Sequence, residues 1–228
     1  MIKAVIFDLD DTLYDEAEYC KSGFAAVAQF LADKPSTPSA EIIFAALWDE
    51  FSTRNRTNTF DGALVKLGIN YDCQLIEKLV SIYRTHLPNL TLPQDSMDVL
   101  LQLKQKYTLA LLTDGFLPAQ RLKVEALGVE KFFASTIYTE ELGREFWKPS
   151  TAGFEKLLKT LDVKPENAVY VADNEQKDFI GPNAMGLVTI QLIRPAGIHR
   201  EVCNPISGAA AKYKIVKIGQ LPDLLKIC

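Results

Sequence analysis

Two aspartates spaced i, i+2, Asp8 and Asp10, close an apolar run near the start of this 228-residue chain. The run, Ala4-Val5-Ile6-Phe7, is too short for a helix and rich in branched and aromatic side chains, the pattern of a buried parallel strand. Acid therefore falls at a strand's carboxyl end, which is where open α/β sheets bind ligands. On an extended chain, residues i and i+2 project from the same side. One carboxylate can then attack a substrate while the other handles protons. An isolated Asp-x-Asp can equally cap or turn the chain, so the rest of the sequence has to decide.

Three later polar signals sit at comparable places. The strand-like run 108–113 stops at Thr113-Asp114-Gly115, Lys148-Pro149 precedes a helical pattern, and the run 168–172 stops at Asp173, with Asp178 five residues on. Singly, each has an ordinary reading: a strand-end hydroxyl, a solvated lysine, a helix cap, a surface charge. Jointly, a hydroxyl, a lysine and several aspartates at one edge of one sheet suit a phosphate and a divalent cation.

The elements that must position these groups follow from periodicity. From Glu16 to about Pro88 the text is almost wholly helical. Phe24, Val27, Ala28 and Leu31 recur on one helical face; Ile43, Leu47 and Phe51 follow, and Ile76, Leu79, Val80, Tyr83 and Leu87 repeat the pattern. From Leu92 onward helices alternate with strands: helix 96–106, strand 108–113, helix 118–127, strand 135–138, a helix from 150, strand 168–172, helix 176–185 and strand 187–193. Such alternation predicts a doubly wound parallel sheet with right-handed crossovers. The segment 195–211 reads as irregular, 213–218 as an edge strand and 221–227 as a terminal helix.

Composition bounds the partners. Hydrophobic residues make up 48% and charged residues 24%, ordinary for a globular chain, and the net charge of -4 with no basic cluster argues against nucleic acid. No apolar run reaches the ~18 residues of a membrane span, and the start breaks into charge too soon for a signal peptide. The expectation is a cytoplasmic protein acting on a small molecule, with no oligomeric state to be read. Cys20, Cys73, Cys203 and Cys228 are scattered, and His86 and His199 are isolated, which fits neither a disulfide frame nor a zinc site.

Taken in order, Asp8-Leu9-Asp10-Asp11-Thr12, Thr113, Lys148-Pro149, and Asp173-Asn174-Glu175-Gln176-Lys177-Asp178 followed by Gly181 and Ala184 resemble the four motifs of the haloacid dehalogenase-like hydrolase superfamily. The resemblance covers nearly the whole chain. Ala172 stands where a glycine is usual, Asn174 follows the aspartate, and Pro182 interrupts the next helix. The resemblance implies a Rossmann-like core formed by residues 1–15 and 90–228, with residues 16–89 as an inserted helical cap. It implies a magnesium-dependent phosphatase acting on a small phosphomonoester, a sugar phosphate or nucleoside monophosphate, through an aspartyl-phosphate. Asp8 would be the nucleophile. Asp10 would protonate the leaving oxygen and then activate water, helped by acidic neighbours that raise its pKa. Thr113 and Lys148 would hold phosphoryl oxygens, with Thr12, Asp114 and Gly115 in the same phosphate site. Four negative groups facing a dianion require a cation, and hard oxygen donors suit magnesium: Asp8, the Asp10 carbonyl, Asp173, and Asp178 nearby as an orienting or water-bridged ligand. Asp10 speaks against a metal-free dehalogenase, whereas a phosphoglucomutase-like transferase shares every group named; a binding module that kept the fold is the third reading. In the cap, Arg54 and Arg56 lie in a polar stretch joining two helices; the fork of an arginine suits bidentate contact, and at least one of the two is expected to contact the leaving group.

Overall fold

The computed structural model describes residues 1–53, 56–194, 197 and 207–228. The chain divides into two compact units, one of Met1–Ala17 with Thr91–Cys228 and one of Glu18–Leu90.

The first unit is built on six parallel strands in the order β3-β2-β1-β4-β5-β6. These are β1 (Ala4–Phe7), β2 (Thr108–Thr113), β3 (Ser135–Tyr138), β4 (Ala168–Ala172), β5 (Val188–Leu192) and β6 (Tyr213–Ile215). Strand β1 is central because every residue in it is buried, as a strand covered on both faces must be. Its register sets Phe7 against Leu111 on one side and Val171 on the other, so Asp8 leaves the sheet level with the ends of β2 and β4. The chain runs outward from β1 through β2 to β3 and then returns to β4, which makes the β1/β4 boundary the switch point where such sheets form a crevice.

Alternate strand residues build the core. Ala4, Ile6, Ala110, Leu112, Ala168 and Tyr170 share one cluster with Phe154, Leu157 and Leu158 of the helix Ala152–Leu161. Helices Gln94–Lys104 and Ala119–Leu127 supply further buried faces, and Gly128 ends the second in the left-handed conformation.

Among the described residues the second unit holds four α-helices: α1 (Glu16–Ala32, whose first two residues belong to the first unit), α2 (Ala40–Ser52), α3 (Thr59–Lys66) and α4 (Cys73–Thr85). Continuing the count, the helices of the first unit are α5 (Gln94–Lys104), α6 (Ala119–Leu127), α7 (Ala152–Leu161), α8 (Ile180–Met185) and α9 (Leu221–Leu224). An aromatic cluster organises the helical unit. Phe24 on α1 lies 5.4 Å from both Phe51 and Tyr83 and 6.2 Å from Phe60. Gly23 gives Tyr83 room to sit there, since a Cβ at that position would lie 2.5 Å from Tyr83 Cδ2.

Three expectations need correction. Helix α8 starts at Ile180, not 176, because side chains capture the preceding backbone donors: Asp178 Oδ2 accepts from Asn174 N–H and Asn174 Oδ1 from Gln176 N–H. Strand β6 stops at Ile215, where Gln220 turns back to accept from the Val216 and Lys217 amides. Helix α9 is a single turn, Leu221–Leu224, rather than 221–227. His199 and Cys203 lie outside the described residues, and so does most of the segment 195–211. Among the described cysteines none is disulfide-bonded: Cys20 is buried, and Cys73 and Cys228 are exposed. No helix of the described residues is long and apolar enough to cross a membrane.

Candidate active site

Asp8 follows β1 and Asp173 follows β4, so the switch point brings together two carboxylates that are 165 residues apart in the sequence (173 − 8). The Asp8 amide extends the ladder by donating to Val171 O at 2.9 Å, which fixes where its side chain departs. Asp178 joins them from the turn before α8. Oxygens of Asp8, Asp173 and Asp178 all lie within 4.8 Å of one another.

Lys148 is the counter-charge. Its Nζ donates to Asp8 Oδ1 at 2.7 Å and to the Tyr170 hydroxyl at 3.0 Å. It also pairs with Asp178 Oδ1 at 2.8 Å. The approach of the Lys148 loop to α8 depends on Gly181, where a Cβ would stand 2.7 Å from Pro149 O. Asp114 anchors the same loop: its carboxylate accepts from the Thr139 hydroxyl at 2.7 Å and from the Lys148 amide at 3.1 Å.

Burial drives the electrostatics of the cluster. It raises the Asp8 carboxyl to about 6, with Lys148 opposing the rise and Asp178 adding to it. It raises Asp173 to about 9, reinforced by the charges of Asp178 and Asp8. Asp178 goes the other way: burial would lift it, but Lys148 and Lys177 outweigh that and hold it below the usual carboxylate range. Two carboxyls pushed upward beside a third that stays ionised amount to a deficit of positive charge. A hard divalent cation among these oxygens would remove it, so the donor set fits magnesium.

A cavity of about 200 Å³ opens on this cluster, lined by Asp8, Asp10, Glu16, Asp114, Trp147, Lys148, Asp173 and Lys177. Asp10 does not have the acidic surroundings expected of it. Its Oδ1 receives Lys123 Nζ at 2.8 Å and the Tyr14 hydroxyl at 2.5 Å, and its Oδ2 receives Gln120 Nε2 at 2.8 Å. Burial would raise this carboxyl, yet Lys123 and the three hydrogen bonds together hold it below its ordinary value. Glu16 carries the raised pKa instead, lifted to about 7 by burial and then by Asp10, with Lys123 3.8 Å away opposing.

The remaining expected residues fall as follows. Thr113 is buried at the end of β2, and its hydroxyl accepts from Gln120 Nε2 at 2.7 Å. Thr12, expected in the phosphate site, is fully buried and outside the cavity lining; its carbonyl is taken by Arg194 Nη2 at 2.9 Å. Asp114 lines the cavity, with its carboxylate accepting from Thr139 and the Lys148 amide, so it also braces the Lys148 loop. Gly115 has φ +139°, and a Cβ there would stand 2.8 Å from Gln120 Cδ, so glycine at that position keeps Gln120 in reach of Asp10. Asp178 stands with Asp8 and Asp173, near enough for its carboxylate to join theirs as a ligand or to orient them. Arg56 lies in a short turn with its guanidinium 4.9 Å from the centre of the Phe51 ring, and Arg54 lies outside the described residues.

Sequence reasoning missed Gln120, Lys123, Tyr170 and Lys177. For the first two there was a signal: on α6 they share the buried face with Ala119, Val124 and Leu127, and a lysine on an apolar face needs a partner. Tyr170 was visible as a hydroxyl inside a fully buried strand. Nothing local marked Lys177.

The model of the haloacid dehalogenase-like hydrolase family matches residues 2–186. A glyceraldehyde 3-phosphate phosphatase of Methanopyrus kandleri is 33% identical over 201 residues, covering 85% of each chain. The human N-acylneuraminate-9-phosphatase is 28% identical, covering 99% of this chain and 94% of its own. Among solved structures, a 2-haloacid dehalogenase from Pseudomonas syringae pv. Tomato superposes with a TM-score of 0.64 at 26% identity, covering 100% of this chain and 99% of that one. With the aspartates of the first and last motifs meeting Lys148 at the switch point, and with a family match over most of its length, the chain belongs to the haloacid dehalogenase-like hydrolases.

Proposed function

We propose that this enzyme, a phosphatase of the haloacid dehalogenase type, hydrolyses a small phosphorylated metabolite through a phosphoryl group carried on Asp8. The observation that carries the reading is the meeting of Asp8, Asp173 and Asp178 around Lys148, with Asp10 on the wall of the same cavity. Phosphoryl transfer needs a nucleophile, neutralisation of the phosphoryl oxygens and a proton for the leaving group. Asp8 supplies the first and Lys148 contributes to the second. Asp10 handles the proton, giving it to the leaving oxygen and then taking one from the water that attacks the phosphoenzyme; because Lys123 and its hydrogen bonds favour the ionised carboxylate, the negative phosphoryl group seated beside it has to raise its proton affinity before it donates. Lys123, Gln120 and Tyr14 fix where that carboxyl points. Asp8, Asp173 and Asp178, with the Asp10 carbonyl, would hold magnesium, whose charge offsets that of the phosphoryl oxygens. The helical unit of residues 18–90 would serve as the cap, with Arg54 and Arg56 as candidate contacts to the leaving group.

The phosphatase names of the relatives from Methanopyrus kandleri and human favour hydrolysis of a phosphomonoester over dehalogenation or transfer to a second hydroxyl. The test is release of inorganic phosphate from a panel of sugar phosphates and nucleoside monophosphates, with magnesium and after exhaustive chelation. Phosphate release that stops on chelation and returns with magnesium is expected. Full activity after chelation, or phosphate passed only to a second sugar, would overturn the reading.

A further inference from the structure

The cavity has one aromatic wall, and its carboxylates outnumber its ammonium groups. Trp147 is the aromatic member of the lining. It is half-buried and braced by two contacts, whose partners a third side chain ties together. Its indole N–H donates to Glu140 Oε2 at 3.1 Å; its ring meets Phe116 edge-on at 5.4 Å and 72°; and the Arg144 guanidinium stacks 4.4 Å from the centre of the Phe116 ring while its Nε pairs with Glu140 Oε1 at 3.4 Å. A large flat side chain held this firmly beside Lys148 has lost its rotamer freedom before any ligand arrives, so contact with it costs little entropy.

The charges on the same wall say what kind of ligand it meets. Among the described residues five of the lining are acidic, Asp8, Asp10, Glu16, Asp114 and Asp173, against two lysines, Lys148 and Lys177. Lys148 is taken up by Asp8 and Asp178, and Lys177 sits 3.6 Å from both Asp114 and Asp178. With both described lysines of the lining already paired, a further anionic group on the substrate finds no cation to meet it there, whereas hydroxyl groups find carboxylate acceptors. Glu16 is one such acceptor, since it lines the cavity and none of the proposed chemical steps uses it.

Resting on the phosphatase reading above, we infer that Trp147 is the platform for the leaving group, and that the group it takes is a neutral carbohydrate ring laid with its C–H face on the indole and its hydroxyls toward carboxylates such as Glu16. The electron-rich face of the indole attracts the weakly positive C–H groups of a sugar ring, and hydroxyl donors suit a wall rich in acceptors. A specificity element is thereby placed in the catalytic unit itself, one residue before the lysine of the third motif.

The experiment compares glucose 6-phosphate, which carries a ring, with glycerol 3-phosphate, which does not, in the parent, Trp147→Ala and Trp147→Phe. The ratio of kcat/KM for the two should fall about ten-fold in Trp147→Ala, mostly through KM for the ring substrate, and Trp147→Phe should restore most of it. A binding readout uses Trp48→Phe, which leaves Trp147 as the one remaining tryptophan of the chain's two. In that background, fluorescence should change with glucose 6-phosphate and far less with glycerol 3-phosphate. An unaltered ratio in Trp147→Ala, or a fluorescence response equal for both, overturns the inference. So does a Trp147-dependent preference for adenosine monophosphate over glucose 6-phosphate, because a nucleobase is then the occupant. Absence of phosphate release from every ester in the parent enzyme instead sinks the phosphatase reading, which separates the two failures.

Discussion

Removing Lys123 tests the arrangement around Asp10 most directly. Its Nζ lies 2.8 Å from Asp10 Oδ1, the side chains are 5% and 17% exposed, and Glu16 lies 3.8 Å away on the same ammonium. Taking one partner from a buried ion pair costs about 3–5 kcal/mol when the other is left uncompensated. Asp10 keeps its hydrogen bonds from Tyr14 and Gln120 and some contact with solvent, and methionine replaces most of the lysine stem. Lys123→Met should therefore cost about 2–3 kcal/mol, the lower end of that range or just beneath it. The measurement is urea unfolding followed by both tryptophan fluorescence and circular dichroism, so that separate transitions of the two units are seen if they occur. If charge abandonment is the cause, Lys123→Met with Asp10→Asn should lose less than the sum of the single variants, by about 1 kcal/mol or more. A loss under about 0.5 kcal/mol for Lys123→Met, or strict additivity in the double variant, would refute the claim that this lysine holds Asp10 in place.

Three further outcomes are expected. Asp8→Asn should abolish the labelled phosphoenzyme in rapid-quench experiments, whereas Asp10→Asn should slow turnover by roughly 100-fold or more while Asp8 remains able to react; a normal burst in Asp8→Asn would remove Asp8 from its role. Gly181→Ala forces a Cβ to within 2.7 Å of Pro149 O and should lower stability by about 1–3 kcal/mol and impair the neighbouring Lys148, seen as a lower melting temperature together with weaker phosphate inhibition. Asp72→Ala removes the cap that accepts from the Leu75 amide at 2.8 Å and should cost about 1 kcal/mol in the helical unit without altering turnover, read by urea unfolding beside a kinetic assay.

The alternation of strands and helices, the helical stretch after the first strand, and the position of Asp8, Thr113 and Asp173 at strand ends were legible in the sequence. These depend on local periodicity and on where apolar runs stop, and each can be read within a window of a few residues. What surrounds each carboxylate was not. Asp10 looked like one member of an acidic cluster with Asp8, Asp173 and Asp178, yet two of the groups that set its charge, Gln120 and Lys123, are 110 and 113 residues away on α6. The hydrogen bond from Thr139 to Asp114 depends on the packing of β2 beside β3, and the burial of Thr12, whose carbonyl Arg194 takes, depends on a contact 182 residues away in the chain. Helix boundaries slipped where side chains competed for backbone donors, as Asn174 and Asp178 do before α8. In a parallel sheet, neighbouring strands are joined by long crossovers, so the partners of a strand-end residue come from distant segments. Periodicity places a residue on a face, whereas strand order and helix rotation decide what that face meets.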